Sequence, residues 1–249
     1  QHYQNGNLEK AEILFKKILE TVPNHFFSIF LLGTLSAQIK KFPIAKKLLK
    51  HAIKINPNYK EAHNNLGNVL HELGEYKEAK HCYQKAIEID QNFVEANYNF
   101  GNVLEKLSKN EEALFYYKKS IKLNPNYIKA YYNLGNVFEK LGELKKSISC
   151  YKKVIQINPK YTMAYNGLGM LFRGMGDVKN AIFNFQKAIQ IEPNNLTSHW
   201  LSMNTFPIIY QNTEEIDHYR NRFEESIKQI NKLLDKNKNY TKDEIVNAL

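Results

Sequence analysis

The sequence predicts an all-α fold: a right-handed solenoid of stacked helical hairpins, closed by a divergent helical cap. Three observations predict it. A 34-residue block, Lys60 to Phe93, returns from Val94 to Tyr127 and from Ile128 to Tyr161, with looser copies over Phe26 to Tyr59 and Thr162 to Asn195. Glycines at 33, 67, 101, 135 and 169 keep that step without an insertion. Inside each block apolar residues recur every three or four positions, the spacing of one helical face. A fixed period of this length marks a repeat array, and its units must stack because one hairpin cannot bury its own apolar face.

In chain order, residues 1–25 read as a partial repeat. Gly6 falls at the turn between two helices, and Ala11, Phe15 and Pro23 follow in their proper places. The chain is therefore expected to open inside a repeat, with more repeats upstream. Full repeats follow at 26–59, 60–93, 94–127, 128–161 and 162–195. The unit from Ile128 shows the logic. Ala130, Tyr131, Leu134, Phe138 and Leu141 form one apolar stripe, and Gly142 stops the helix as a C-terminal glycine does. A second helix carries Ile148, Tyr151, Ile155 and Ile157 on its apolar side, and Asn158-Pro159 ends it.

The small residues describe the stacking. Gly135 and its equivalents sit inside a helix, where glycine costs roughly 0.5–1 kcal/mol relative to alanine, so a close neighbour is expected there. Ala45, Ala79, Ala113, Ser147 and Ala181 are small in the second helix, while Leu49, Tyr83, Tyr117, Tyr151 and Phe185 are large.

These residues, Leu-Gly, alanine, aromatic, alanine and proline at fixed spacing, make residues 1–195 resemble the tetratricopeptide-repeat (TPR) family. Departures are local: Gln91 for proline, Ser120 and Val154 for the second small residue, Ser36 for a larger apolar one.

After Asn195 the pattern decays into a divergent region, 196–249. Leu196 to Thr205 is expected to form a helix ended by Thr205-Phe206-Pro207, followed by an extended Ile208-Ile209-Tyr210. Asn212 and Glu215 form a capping box that opens a longer helix with a seam at Ile216, Tyr219, Phe223, Ile227, Ile230 and Leu234. Asp235 to Tyr240 reads as a polar break, and Thr241 with Glu244 as a further helix start. The stretch SMNTFPIIYQNTEEIDHYRNRFEESI is similar to one that follows the repeats in bacterial SPINDLY-like O-linked N-acetylglucosamine transferases. That resemblance implies a TPR superhelix presenting protein substrates to a glycosyltransferase domain that lies outside this sequence.

Bulk properties set limits. At 249 residues and 43% apolar the chain suffices for a stable array, and no run of 18 apolar residues suggests a membrane span. Cys82 and Cys150 occupy the same place two units apart, several helix widths from each other, so they read as core thiols in a reducing compartment and the protein as cytoplasmic. The net charge of +10 comes almost wholly from lysine, since only Arg173, Arg220 and Arg222 are arginines. It reads as a solvated surface rather than a nucleic-acid site.

Candidate binding residues lie on the first helices. Asn65, Asn99 and Asn133 precede the Leu/Phe-Gly pair, and Asn68, Asn102 and Asn136 follow it. An asparagine offers both a donor and an acceptor, so a column of them can hold an extended peptide backbone without reading its sequence. The place of Asn65, Asn99 and Asn133 matches the peptide-holding ladder of the O-linked N-acetylglucosamine transferases; Leu31 and Gly167 interrupt it. The alternative is local hydrogen bonding within the repeat. Tyr98 and Tyr132, with Phe30 before them and Asn64 and Asn166 at the same step, suggest aromatic anchors for a partner, or packing between repeats. Lys129, Glu61, Glu95, Glu105 and Glu139 would tune the charge of such a groove. The carboxylate clamp of chaperone-tail binders is missing, because Asn64, Tyr98 and Tyr132 precede the groove asparagines and Asn133 stands in place of arginine.

No catalytic pattern emerges. The eight histidines form no HExxH-type pair, and no phosphate loop or nucleophile motif is present. The sequence thus points to a scaffold, not an enzyme, with no cofactor or metal, that binds a protein or peptide segment as the recruiting part of a larger glycosyltransferase. A free-standing adaptor whose end repeats stack into homo-oligomers is the alternative, and lysine-mediated nucleic-acid binding a weaker one.

Overall fold

A computed structural model describes residues 8–207 and 211–236. The readings of Gly6, of Ile208 to Tyr210, of the far end of the polar break and of Thr241 with Glu244 lie outside these residues. The described chain is helical: α1 (Leu8–Thr21), α2 (Phe26–Gln38), α3 (Phe42–Ile55), α4 (Lys60–Glu72), α5 (Tyr76–Ile89), α6 (Val94–Lys106), α7 (Asn110–Leu123), α8 (Ile128–Lys140), α9 (Leu144–Ile157), α10 (Thr162–Gly174), α11 (Val178–Ile191), α12 (Leu196–Met203) and α13 (Thr213–Lys236). Two compact units divide it, residues 1–130 and residues 131–249.

In the first unit α2 packs on α3, α4 on α5 and α6 on α7, and each second helix packs on the next first helix. The first helices also touch one another, α2 to α4 and α4 to α6, whereas no contact joins α3 to α5 or α5 to α7. First helices therefore lie on the tighter inner side of the stack and second helices on the splayed outer side. The second unit repeats the relation, with α10 touching α12 and no contact between α9 and α11.

The mid-helix glycines exist for ring contact. A Cβ on Gly67 would come within 2.6 Å of the Tyr83 ring, and one on Gly101 within 2.7 Å of Tyr117. Gly135 meets Tyr151, Gly169 meets Phe185, and Gly33 meets Leu49 in the same way. These large partners are almost fully buried. Burying one contributes about 1.5–3 kcal/mol, which exceeds the roughly 0.5–1 kcal/mol that glycine costs in a helix. The small residues of the second helices lie on the same seam: Ser147 Oγ donates to the Gly135 carbonyl at 2.8 Å.

Turn chemistry repeats with the same period. The first helices α2, α4, α6, α8 and α10 close in Schellman turns, as where Gly74 N–H bonds the His71 carbonyl and Glu75 N–H the Leu70 carbonyl. Four of the loops between repeats are Asx turns, in which Asn56, Asp90, Asn124 and Asn158 accept from the backbone N–H two residues on. This explains why Gln91 is tolerated in place of proline, since Asp90 makes the turn without it. The other substituted positions are also satisfied: Ser120 Oγ donates to the Val94 carbonyl and Ser36 Oγ to the Leu32 carbonyl, while Val154 is fully buried.

At the start of the array, α1 leaves Ile13, Leu14 and Ile18 exposed. At its end, α12 stops at Met203, two residues before the expected Thr205. Arg222 of α13 ties down the chain at this end: its guanidinium donates to the carbonyls of Ser202 (2.5 Å) and Thr205 while lying over the rings of Phe206 and Tyr219. Asn212 caps α13 by accepting from Glu215 N–H at 2.8 Å, and Glu215 reaches back to Gln211 N–H, one residue earlier than the usual box.

Candidate functional site

The asparagines of the inner side form a network rather than a row of isolated amides. Asn99 on α6 donates through Nδ2 to Asn64 Oδ1 and Asn68 Oδ1 of α4, both at 3.0 Å. Asn65 donates to Thr34 Oγ1 of α2 at 3.1 Å. Tyr83, wedged against Gly67, sends its hydroxyl to Asn68 Oδ1 at 2.8 Å. The single hydroxyl hydrogens of Tyr117 and Tyr151 are shared between two acceptors each, Asn102 Oδ1 (2.8 Å) with Glu105 and Asn136 Oδ1 (2.7 Å) with Glu139.

This allocates the amide groups. Asn99 spends both Nδ2 hydrogens on α4, and among the described residues nothing donates to its Oδ1 or to that of Asn65. Asn68 has both lone pairs of Oδ1 engaged, and its Nδ2 is without a described partner on an exposed side chain. The expected grip, one asparagine taking a peptide N–H and C=O together, would require Asn99 to give up its lateral bonds. What the geometry offers instead is acceptors at Asn65 and Asn99 and donors at Asn68. Asn65 and Asn68 line a cleft of about 320 Å³ with Thr34, Gln38 and Glu72.

The remaining candidates are placed as follows. Asn64 is buried and supports Asn99 rather than facing outward. Asn102 and Asn133 are half-buried on α6 and α8. Tyr98 is half-buried, its ring 5.9 Å from Tyr117 and 5.3 Å from Tyr127. Tyr132 lies 5.7 Å from Tyr151 and 5.6 Å from Tyr161, and burial pushes its hydroxyl pKa up. Both rings are thus engaged in packing between repeats as well as bordering the inner side, and Phe30 is buried against Phe26 and Tyr59. Lys129 is exposed.

The hydroxyls of Tyr83, Tyr117 and Tyr151 went unrecognised as groove residues when read as core fillers. Their signal is a tyrosine fifteen residues after each second-position asparagine. His63 and His199 bond the carbonyls of Pro57 (2.8 Å) and Pro193 (2.9 Å) in the preceding loop, as Asn97 does to Gln91, which ties α4, α12 and α6 to the turns before them. Cys82 and Cys150 are buried, and burial pushes the Cys82 thiol up to about 11. Charge is uneven among the helices: α3 and α9 carry four lysines each and no acid, α4 and α6 bring Glu61, Glu72, Glu95 and Glu105, and α5 and α7 carry both signs. Among the described residues no group of three or more His, Cys, Asp or Glu could hold a metal, and no helix is long and apolar enough to cross a membrane.

Fold and site together define a helical-hairpin repeat protein with a polar inner side. The chain belongs to the tetratricopeptide-repeat family. A Tetratricopeptide repeat family model matches residues 61–93, 128–161 and 163–195, a TPR repeat model matches 38–74 and 106–142, and a second Tetratricopeptide repeat model matches 82–115. MamA is similar in structure at 30% identity, covering 65% of this chain and 95% of its own, with a TM-score of 0.61. YrrB, a TPR protein with an unusual peptide-binding site, is 24% identical over 74% of this chain and 95% of its own, with a TM-score of 0.60. PilF of Pseudomonas aeruginosa is 19% identical over 91% of this chain and 93% of its own, with a TM-score of 0.69. No curated protein matches the sequence. The family-model matches end at residue 195 and no glycosyltransferase is among these matches, so the resemblance of residues 202–227 finds no support in them.

Proposed function

We propose that the chain is a protein-binding scaffold that holds an extended segment of a partner along the inner face of its first helices. The observation that carries this reading is the complementary amide set of the first unit. Acceptors on Asn65 and Asn99 and donors on Asn68, each fixed by a lateral hydrogen bond, match the alternating N–H and C=O groups of an extended backbone. Preorganised groups lose little freedom on binding, and backbone pairing gives affinity without demanding one sequence. The lysine surplus on the outer helices lies away from this face. MamA, the 30% identical relative, is matched over nearly its whole length, which places the chain among proteins made of such repeats.

Two finer elements belong to the proposal. The buried cysteines fit a reducing compartment such as the cytoplasm. The resemblance of Ser202 to Ile227 alone supports a role in recruiting substrates for a glycosyltransferase.

An array of immobilised peptides tests the main reading. The wild-type chain is expected to bind a subset of them, and Asn65→Ala and Asn99→Ala to weaken that binding about fivefold each, the worth of one hydrogen bond of about 1 kcal/mol. Melting temperatures separate this loss from unfolding. Binding that neither variant alters would remove the amide set from the account.

A further inference from the structure

In the second unit the inner side changes chemistry. Gly167 stands on α10 at the position that Asn65 and Asn99 hold on their helices, and Met163 and Met170 flank it one turn to either side. Both methionines are exposed, at 53% and 37%. With Tyr132 and Tyr151 they wall a cavity of about 420 Å³, within the range of small-ligand sites. The Tyr151 ring is wedged between Gly135 and Gly167, and a Cβ on Gly167 would sit 2.9 Å from it. With glycine in place of the amide, ring and thioether make up the apolar part of the wall.

Asn136, Glu139, Asn166, Asn195 and Thr197 also line this space, and two of these polar groups bear on what it can bind. Asn166 lies at its border and bonds Ser198 Oγ at 3.0 Å, and its other amide atom is buried with no partner among the described residues. Whichever way that amide is turned, Ser198 serves one end and leaves the other unpaired until a group supplies the missing bond. The second is Glu139, the sole formal charge on the lining, held by the Tyr151 hydroxyl at 3.1 Å.

Resting on the scaffold reading above, we infer that this cavity is a side-chain pocket. It accepts a large apolar residue of the partner segment, leucine, methionine or phenylalanine, next to a lysine or arginine that pairs with Glu139. The backbone of the same segment supplies the bond that Asn166 lacks. Methionine walls suit several apolar shapes because the thioether is flexible and polarisable, so the pocket selects a class of side chain rather than one residue. A carboxylate with no basic neighbour on the lining selects against an acidic flank.

The test uses a positional-scanning library of immobilised twelve-residue peptides. The wild-type chain is expected to favour Leu, Met or Phe beside Lys or Arg. Met163→Gln with Met170→Gln should cut the apolar selectivity at least tenfold while leaving the melting temperature and the binding of polar peptides unchanged, since both side chains are exposed. Glu139→Gln, which keeps an oxygen for the Tyr151 hydroxyl, should remove only the preference for the basic neighbour. A wild-type profile with no apolar preference, or one that survives in the methionine double variant, overturns the pocket while leaving the scaffold reading intact. No binding by any form would sink both.

Discussion

At positions 40, 74, 108, 142 and 176, one per repeat, the backbone turns left-handed to close the first helix, with φ of 59°, 74°, 58°, 74° and 77°. Three of the five are glycine. Lys40 and Ser108 carry a Cβ into that region, which costs an L-residue roughly 1–2 kcal/mol, and both are exposed with the same Schellman hydrogen bonds as their neighbours. Glycine would relieve the strain but lose about 0.5–1 kcal/mol through greater freedom in the unfolded chain. Lys40→Gly and Ser108→Gly are therefore each expected to stabilise by about 0.5–1 kcal/mol. The readout is a higher urea midpoint at unchanged slope; a lower midpoint in both would show that strain is not what distinguishes these sites. The glycines were legible because their step is visible in one dimension. The allocation of donors and acceptors among Asn64, Asn65, Asn68 and Asn99 was not, because it depends on which side chains of the preceding first helix stand opposite, some thirty residues away. The tyrosine hydroxyls escaped for the same reason: Tyr83 reads as core by spacing, and its ring is core, but its oxygen reaches the surface network.

Helix starts follow from the sequence more closely than helix ends. The first helices begin at Phe26, Lys60, Val94, Ile128, Thr162 and Leu196, each directly after an inter-repeat loop. The end of α12 is the exception, two residues short of Thr205 and held by a partner. Arg222 comes from a helix seventeen and more residues away and bonds the carbonyls of Ser202 and Thr205. Stacking on Phe206 and Tyr219 holds its planar head in place, a geometry lysine cannot reproduce. Arg222→Lys is thus expected to loosen α13 almost as much as Arg222→Ala, costing about 1.5–3 kcal/mol in lost charge-assisted hydrogen bonds. Limited proteolysis would then cut α13 faster, with α10 and α11 unaffected. Arg222→Lys cleaved like the wild type would mean that charge alone anchors the helix.

Across the molecule, helix contacts within each unit run only to the next helix or the next but one. Stability in such an array is approximately a sum of hairpin terms and nearest-neighbour interfaces, unlike a globular core in which every element leans on every other. A core truncation should therefore be felt locally. Phe185 is fully buried against Gly169, and Phe185→Ala should cost about 3–5 kcal/mol. Hydrogen exchange followed by mass spectrometry can resolve where that loss falls. Amides of α10, α11 and α12 are expected to lose most of their protection, in proportion to the local opening free energy. Those of α2 to α5 should exchange as in the wild type, since several intact interfaces separate them along the chain. Equal loss of protection in α2 to α5 would mean that the repeats unfold as one cooperative body. The consequence reaches binding: under local cooperativity, truncation at Phe185 disables the methionine-lined pocket and leaves the amide set on α4 and α6 competent, so the two proposed binding features are separable by mutation.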